Sequence, residues 1–341
     1  MQTKTPGVQL DQGVFVGVVF ALLAAVGFSA KAILVKLAYL EHVDAITLLA
    51  LRMVFSVPFF IGIALWAGMH HAVPLGKQDK LLVLALGLIG YYLSSFLDFL
   101  GLQYITAGLE RLILFLYPTM TVILAALVAV VTRYWRSQPP AGAAACCQTR
   151  AMRFRTLFCG SIKRALGPKI VAAMALSYAG IALVFLHDVG VKQGGSVVLG
   201  GTLVFFSTLS YSTYLVGAGH AIARIGTARF TAYAMIVASA ASLLQFVVMR
   251  PMSALDLPLR VYELSIAMAI FSTVLPVFLL SYAIKRIGSG SASLIGSIGP
   301  VSTIVMAYVF LGEGISALQI IGSSLVLTGV VIVSMTTRKK I

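Results

Sequence analysis

Apolar residues run along this chain in long blocks separated by short polar joints, without the strict alternation of a half-buried strand. Ten blocks approach the ~20 mostly apolar residues that a helix needs to cross a bilayer. They are Val14–Lys36, Ala45–Ala67, Leu81–Gly101, Gly108–Val131, Ile170–Leu186, Val197–Gly217, Ala228–Met249, Leu264–Ile284, Ser289–Leu311 and Ala317–Met335. Each is far longer than the ~10 residues of a barrel strand, so helices are predicted. The joints hold the proline, glycine and charge. The first block is too long for the apolar core of a signal peptide and has no small-residue cleavage site behind it, so it is expected to be retained.

The pattern repeats. Shifted by 182 positions, Gly90–Ala125 lies on Ser272–Ala307 without a gap, and 10 of 36 positions are identical. Among them are Leu93/Leu275, Phe96/Phe278, Gly108/Gly290, Leu112/Leu294, Pro118/Pro300 and Thr121/Thr303. The proline and glycine pairs carry the match, because apolar bias inflates the rest. Two units follow, 14–186 and 197–335, each of five helices. An odd number of crossings threads the second copy in the opposite direction. The expected fold is therefore an all-α integral membrane protein, ten transmembrane helices in two inverted-topology repeats. In that architecture a solute site sits at the repeat interface near the midplane.

One stretch departs from the repeat. From Pro118 to Gly180 is 62 residues, but from Pro300 to Gly329 is 29, which leaves about 33 extra over roughly 132–166. The stretch is basic, rich in Pro, Gly and Ala, and holds Cys146, Cys147 and Cys159. Three readings stand: a disordered loop lying on anionic lipid, a regulatory or partner-binding loop, and an anomaly of the reading frame. Its basic residues are not interleaved with stacking aromatics, which argues against nucleic acid.

Composition agrees with a bilayer. The chain is 60% hydrophobic and 10% charged, with a mean hydropathy of +1.01. A soluble fold carries roughly 25% charged residues. With an inside N-terminus, the inside segments hold 18 Lys and Arg and the outside loops four, Lys36, Lys192, Arg250 and Arg260. Basic residues favour the cytoplasmic side, so both termini are expected there.

Charges inside the spans are the candidate chemistry, since each costs a few kcal/mol in hydrocarbon. Lys31, Arg52, Asp98, Glu110 and Arg111 qualify. Lys31 and Lys36 lie toward the outer end of the first helix, where a long stem can snorkel. Asp98, Glu110 and Arg111 flank the hairpin Gln103–Ala107 and share a depth. They read either as a structural ion pair or as a substrate or proton site. Tyr91 and Tyr92, with Ser94 and Ser95, give the third helix a polar aromatic face, and Ser207, Ser210, Tyr211, Ser212 and Tyr214 give the sixth a similar one. Either face can line a wet cavity or bond neighbouring helices. Tyr91, Tyr92, Ser95, Tyr211 and Ser272 join Lys31 and Arg52 as candidate substrate ligands. Pro118 and Pro300 remove a backbone donor and are expected to kink their helices. The glycines and serines of Gly288–Gly299 permit close helix approach.

Several segments resemble the drug/metabolite transporter superfamily, specifically its EamA-type ten-helix permeases. They are GFSAKAILVKLAY (Gly27–Tyr39), LLALRMVFSVPFF (Leu48–Phe60), GYYLSSFLDFLGLQYITAGLERLILFLYPT (Gly90–Thr119), ALSYAGIALVF (Ala175–Phe185) and GPVSTIVMAYVFLGEGISALQIIGSSLVLTGVVIV (Gly299–Val333). The resemblance spans nearly the whole chain except 132–166. It implies a carrier of the bacterial inner membrane that moves small metabolites, often amino acids or related compounds and often outward. The family closes each half's fourth helix with a Gly-Glu element. Here that element is Gly312-Glu313 in the second half, and the extra segment stands in its place in the first.

Other chemistry finds no support in the sequence. Gly217-Ala-Gly219 follows no strand, so it is no dinucleotide loop, and there is no HExxH, GxSxG or Walker A. His70-His71 has no further ligand nearby, and three clustered cysteines make no zinc site. No cofactor, metal or catalytic residue is expected, and without a nucleotide site secondary transport is preferred to ATP-driven pumping. The expected partners are a small-molecule substrate and membrane lipid, with a homodimer left open. A lipid-linked-precursor translocase and, less favoured, a membrane-embedded enzyme are the alternatives.

Overall fold

The computed structural model describes residues 12–70, 75–136, 168–191 and 195–338. The three cysteines, Lys192, His71 and nearly all of 132–166 lie outside the described residues, and so do the readings attached to them. Ten apolar helices follow in order: α1 (Gly13–Tyr39), α2 (Ala45–Met69), α3 (Lys77–Leu102), α4 (Ala107–Thr132), α5 (Ile170–Val189), α6 (Gly195–Gly219), α7 (Thr227–Met249), α8 (Leu259–Gly288), α9 (289–311) and α10 (Ala317–Ile332). The first eight are each long and apolar enough to span a membrane by themselves. The uninterrupted apolar segment of α9, Gly299–Leu311, and that of α10, Ala317–Ile332, are shorter. Over the described residues the chain has the architecture of a ten-helix membrane protein.

Large apolar side chains point outward, among them Leu65, Trp66, Leu244, Phe271 and Phe310. Small residues and hydroxyls lie inside, where Ser56, Ser177, Ser207, Ser239 and Ser265 are fully buried. That inversion suits lipid. Hydrocarbon gives no hydrophobic drive between helices, so close packing of small residues must hold them. The α5–α10 crossing shows the principle. A Cβ on Gly180 would stand 2.5 Å from the Gly322 carbonyl oxygen, and one on Gly322 would stand 2.6 Å from that of Gly180.

The packing is interleaved between the repeats. Helix α1 lies on α8, α3 on α6, α2 on α7 and α5 on α10. Exchanging the repeats turns the first pair into the second and returns each of the last two to itself, which is a pseudo-two-fold arrangement. Local geometry obeys the same 182-residue shift. Helix α3 carries a π-helical turn at Gly87–Leu93, and α8 carries one at Ile270–Val274, inside the image of the first. Helix α4 is interrupted at Phe115 and Leu116, and α9 at Ser297 and Ile298, 182 residues on.

Pro118 and Pro300 stand in the first turn of the segment after each interruption, not in mid-helix. There a proline's missing N–H is one of the helix's unpaired donors anyway. Each interruption therefore precedes its proline, and a kink around a mid-helix proline is replaced by two helices joined end to end. Within Gly288–Gly299 the glycines divide. Gly288 has φ +79° and joins α8 to α9, Gly296 has open space around it, and Gly299 makes a close approach, with Arg111 3.0 Å from its would-be Cβ.

Candidate functional site

The two π-turns and the two interruptions border one cavity of about 400 Å³ at the centre of the bundle. Both repeats line it. From the first come Lys31, Arg52, Tyr91, Ser95, Asp98 and Arg111. From the second come Ser207, Thr208, Tyr211, Thr231, Ser272 and Thr273. A π-turn is frequent at functional sites because its extra residue re-aims the side chains that follow. Here Tyr91 and Ser272 sit within the two turns, and Ser95 and Asp98 follow the first.

The ionised lining groups all belong to the first repeat. Lys31 Nζ on α1 reaches Asp98 Oδ2 on α3 at 2.5 Å and Glu110 Oε1 on α4 at 3.4 Å. Lys31 keeps 18% of its side chain exposed, Asp98 3% and Glu110 none. The ammonium thus closes over both acids. Arg111, next to Glu110 in sequence, is not their partner: its Nη2 donates to Ser29 Oγ at 3.4 Å, and its guanidinium lies 5.8 Å from the Phe115 ring centre. Lys31 therefore does not snorkel to an interface, since a carboxylate pair holds it inward.

Arg52 is 5% exposed. Its Nη2 donates to Ser95 Oγ at 3.1 Å, and its guanidinium lies 4.8 Å above the Phe99 ring. Among the described residues, neither Arg52 nor Arg111 has a carboxylate at ion-pair distance, and the buried Nε of each has no hydrogen-bond partner. Burying a cation without a neutralising group is costly, so such a pair of guanidiniums needs an account.

A tyrosine cluster borders the cavity, with Tyr91, Tyr117 and Tyr211 in its lining. Tyr91 and Tyr214 share a hydroxyl–hydroxyl hydrogen bond of 2.9 Å, and Tyr211 packs 5.7 Å from both Tyr117 and Tyr214. Most hydroxyls of α6 tie helices together: Ser207 to Ser94, Ser210 to the Ile89 carbonyl and Ser212 to that of Tyr117. Ser272 faces the cavity while donating to the Met268 carbonyl at 2.9 Å. Tyr92 is not part of the lining and stacks on Phe96 instead. Phe115 and Tyr117 line the cavity although the sequence does not single them out. Their signal was the position of Pro118, which marks the interruption in α4.

Polar contacts at the helix ends show which ends share a face. Asp44 binds Arg250 at 3.0 Å, Glu41 binds Arg260 at 3.4 Å, Thr106 donates to Asp188 at 3.0 Å, and Glu313 accepts from the Ala107 N–H at 3.3 Å. Asp79 binds Arg224 at 3.1 Å on the other face. Every one of these joins ends that ten alternating crossings place together. Among the described residues, no group of three His, Cys, Asp or Glu could hold a metal ion.

A sequence profile of the EamA-like transporter family matches this chain twice, over residues 15–134 and 198–335. The uncharacterized transporter YcbK of Bacillus subtilis (strain 168) is 29% identical over 334 residues, covering 95% of each chain. The uncharacterized transporter YyaM of the same organism is 24% identical over 261 residues, 76% of this chain and 74% of its own. One solved crystal structure aligns over 95% of this chain and 98% of its own, with a TM-score of 0.56 at 16% identity, a likeness of fold alone.

Proposed function

The chain belongs to the EamA-like transporter family, and from that premise we propose that it is a secondary transporter moving small polar metabolites through the central cavity by alternating access. The observation that carries this reading is the cavity itself. It is built by both repeats, bordered by paired helix irregularities, and holds ionised groups that hydrocarbon would otherwise penalise. Rocking one repeat against the other, with the four inter-repeat helix contacts as bearings, would open it to either side in turn. The family resemblance favours amino acids or related compounds, outward movement and the bacterial inner membrane. The excess of Lys and Arg in alternate loops favours cytoplasmic termini.

Proton coupling, if present, resides in Asp98 and Glu110. One ammonium faces both acids, and one further proton makes the trio neutral. The cationic neighbours are Lys31 from α1, Arg52 from α2 and Arg111 from α4. Flux of a panel of labelled amino acids and their derivatives into right-side-out and inside-out vesicles, at two proton gradients, tests both ideas. Saturable flux above empty vesicles is expected. Uptake equal to empty vesicles across the panel counts against transport. Gradient dependence that survives in both Asp98→Asn and Glu110→Gln removes the coupling site.

A further inference from the structure

Lys31 engages both carboxylates of the site, while among the described residues Arg52 and Arg111 have no carboxylate at ion-pair distance, and that asymmetry constrains what fits. The lining groups divide sharply by sign. Lys31 covers Asp98 and Glu110, leaving 3% and 0% of their side chains exposed. Lys31 itself keeps 18% open, and Arg52 and Arg111 both line the cavity with a buried Nε that binds nothing. With every group ionised, three cations stand against two carboxylates. Among the described residues, the ion pairs at the cavity are those of Lys31 with Asp98 and Glu110, and neither guanidinium takes part in one. The second repeat contributes hydroxyls and apolar side chains to the lining and no charge that would correct the excess.

Resting on the transport reading, we infer that the solute is a small organic anion, a carboxylate with an apolar or aromatic body and no free ammonium group. Its carboxylate takes the Arg52 and Arg111 guanidiniums, which present planar forks suited to it. Its body lies on the wall of Phe115, Tyr117 and Tyr211. An α-ammonium on the same skeleton finds both carboxylates already paired with Lys31. It meets three cations instead, unless it displaces Lys31 from an ion pair of 2.5 Å. A free amino acid is therefore disfavoured against its deaminated or N-acylated counterpart.

The test is calorimetric binding to the purified full chain in detergent, with three probes of one skeleton: 3-phenylpropanoate, phenylalanine and 2-phenylethylamine. The anion is expected to bind at least about tenfold tighter than the zwitterion, with the amine weakest, because bringing like charges together is unfavourable. Arg52→Gln and Arg111→Gln should each weaken 3-phenylpropanoate by about tenfold, and Arg52→Lys by less, in line with the loss of one charge-assisted contact. If a variant fails to fold, the wild-type series still decides. Equal binding of phenylalanine and 3-phenylpropanoate, or no binding of any probe at millimolar concentration, overturns the inference. Vesicle flux separates the two readings. Anion binding without flux removes transport and keeps this selectivity, whereas flux that favours phenylalanine removes the selectivity and keeps transport.

Discussion

Lys31 decides the electrostatics of the bundle. It neutralises two acids that otherwise stand nearly or wholly buried. Removing one partner of a buried ion pair leaves an uncompensated charge and costs about 3–5 kcal/mol, whereas removing all partners together costs far less. Lys31→Met should therefore lower thermal stability in detergent strongly. The triple variant Lys31→Met, Asp98→Asn, Glu110→Gln should recover most of the loss. A second residue-scale prediction concerns Asp44, outside the spans. Burial alone would raise its pKa. Hydrogen bonds from the Thr47 side chain and backbone, together with the Arg250 guanidinium, outweigh this and hold it below the usual carboxylate value. A lowered folded pKa stabilises above the unfolded value, and that contribution is lost as pH falls through the folded one. Asp44→Ala should cost about 1 kcal/mol at neutral pH, the usual worth of a helix cap. The difference from wild type should shrink below about pH 4, where the unfolded carboxylate protonates, and a denaturation series against pH reads it directly.

Helices meet in this bundle where side chains are absent. Gly180 and Gly322 bring α5 and α10 within van der Waals contact of each other's backbone. A Cβ at Gly90 in the π-turn of α3 would run into the Tyr214 ring. Gly180→Ala and Gly90→Ala should each destabilise by about 1–3 kcal/mol, the range for overpacking, while Gly62→Ala, with open space around it, should be close to neutral. Thermal unfolding of the three variants checks the contrast. The elements themselves were legible in the sequence, because span length and apolarity are imposed by the bilayer and leave little freedom. The repeat was legible through Pro118 and Pro300. The π-turns were not, since nothing in the residue types of Gly87–Leu93 or Ile270–Val274 marks an extra residue in the helical turn. Nor was the pairing of Lys31 with residues 67 and 79 positions away, which only the packing of α1 on α3 and α4 creates. The neighbour in sequence, Arg111, was the natural partner for Glu110, yet adjacent helical residues point in different directions.

At the scale of the whole molecule, two five-helix units of opposite threading enclose one chamber, and charge enters it from one unit only. The repeats have thus kept a common backbone, down to the helix interruptions, while their linings diverged: Asp98 corresponds to Leu280, and Glu110 to Ala292. A symmetric scaffold allows two mirrored openings, and an asymmetric lining lets one unit hold the solute. If the chamber opens alternately, a residue in its wall must be reachable from both sides of the membrane. The direct measurement places a cysteine at Thr208 or Ser95 in a chain whose Cys146, Cys147 and Cys159 have been replaced, and applies a membrane-impermeant thiol reagent to right-side-out and inside-out vesicles separately. The account predicts labelling from either side, slowed from both by bound 3-phenylpropanoate. Labelling from one side alone, under every solute condition, would contradict it.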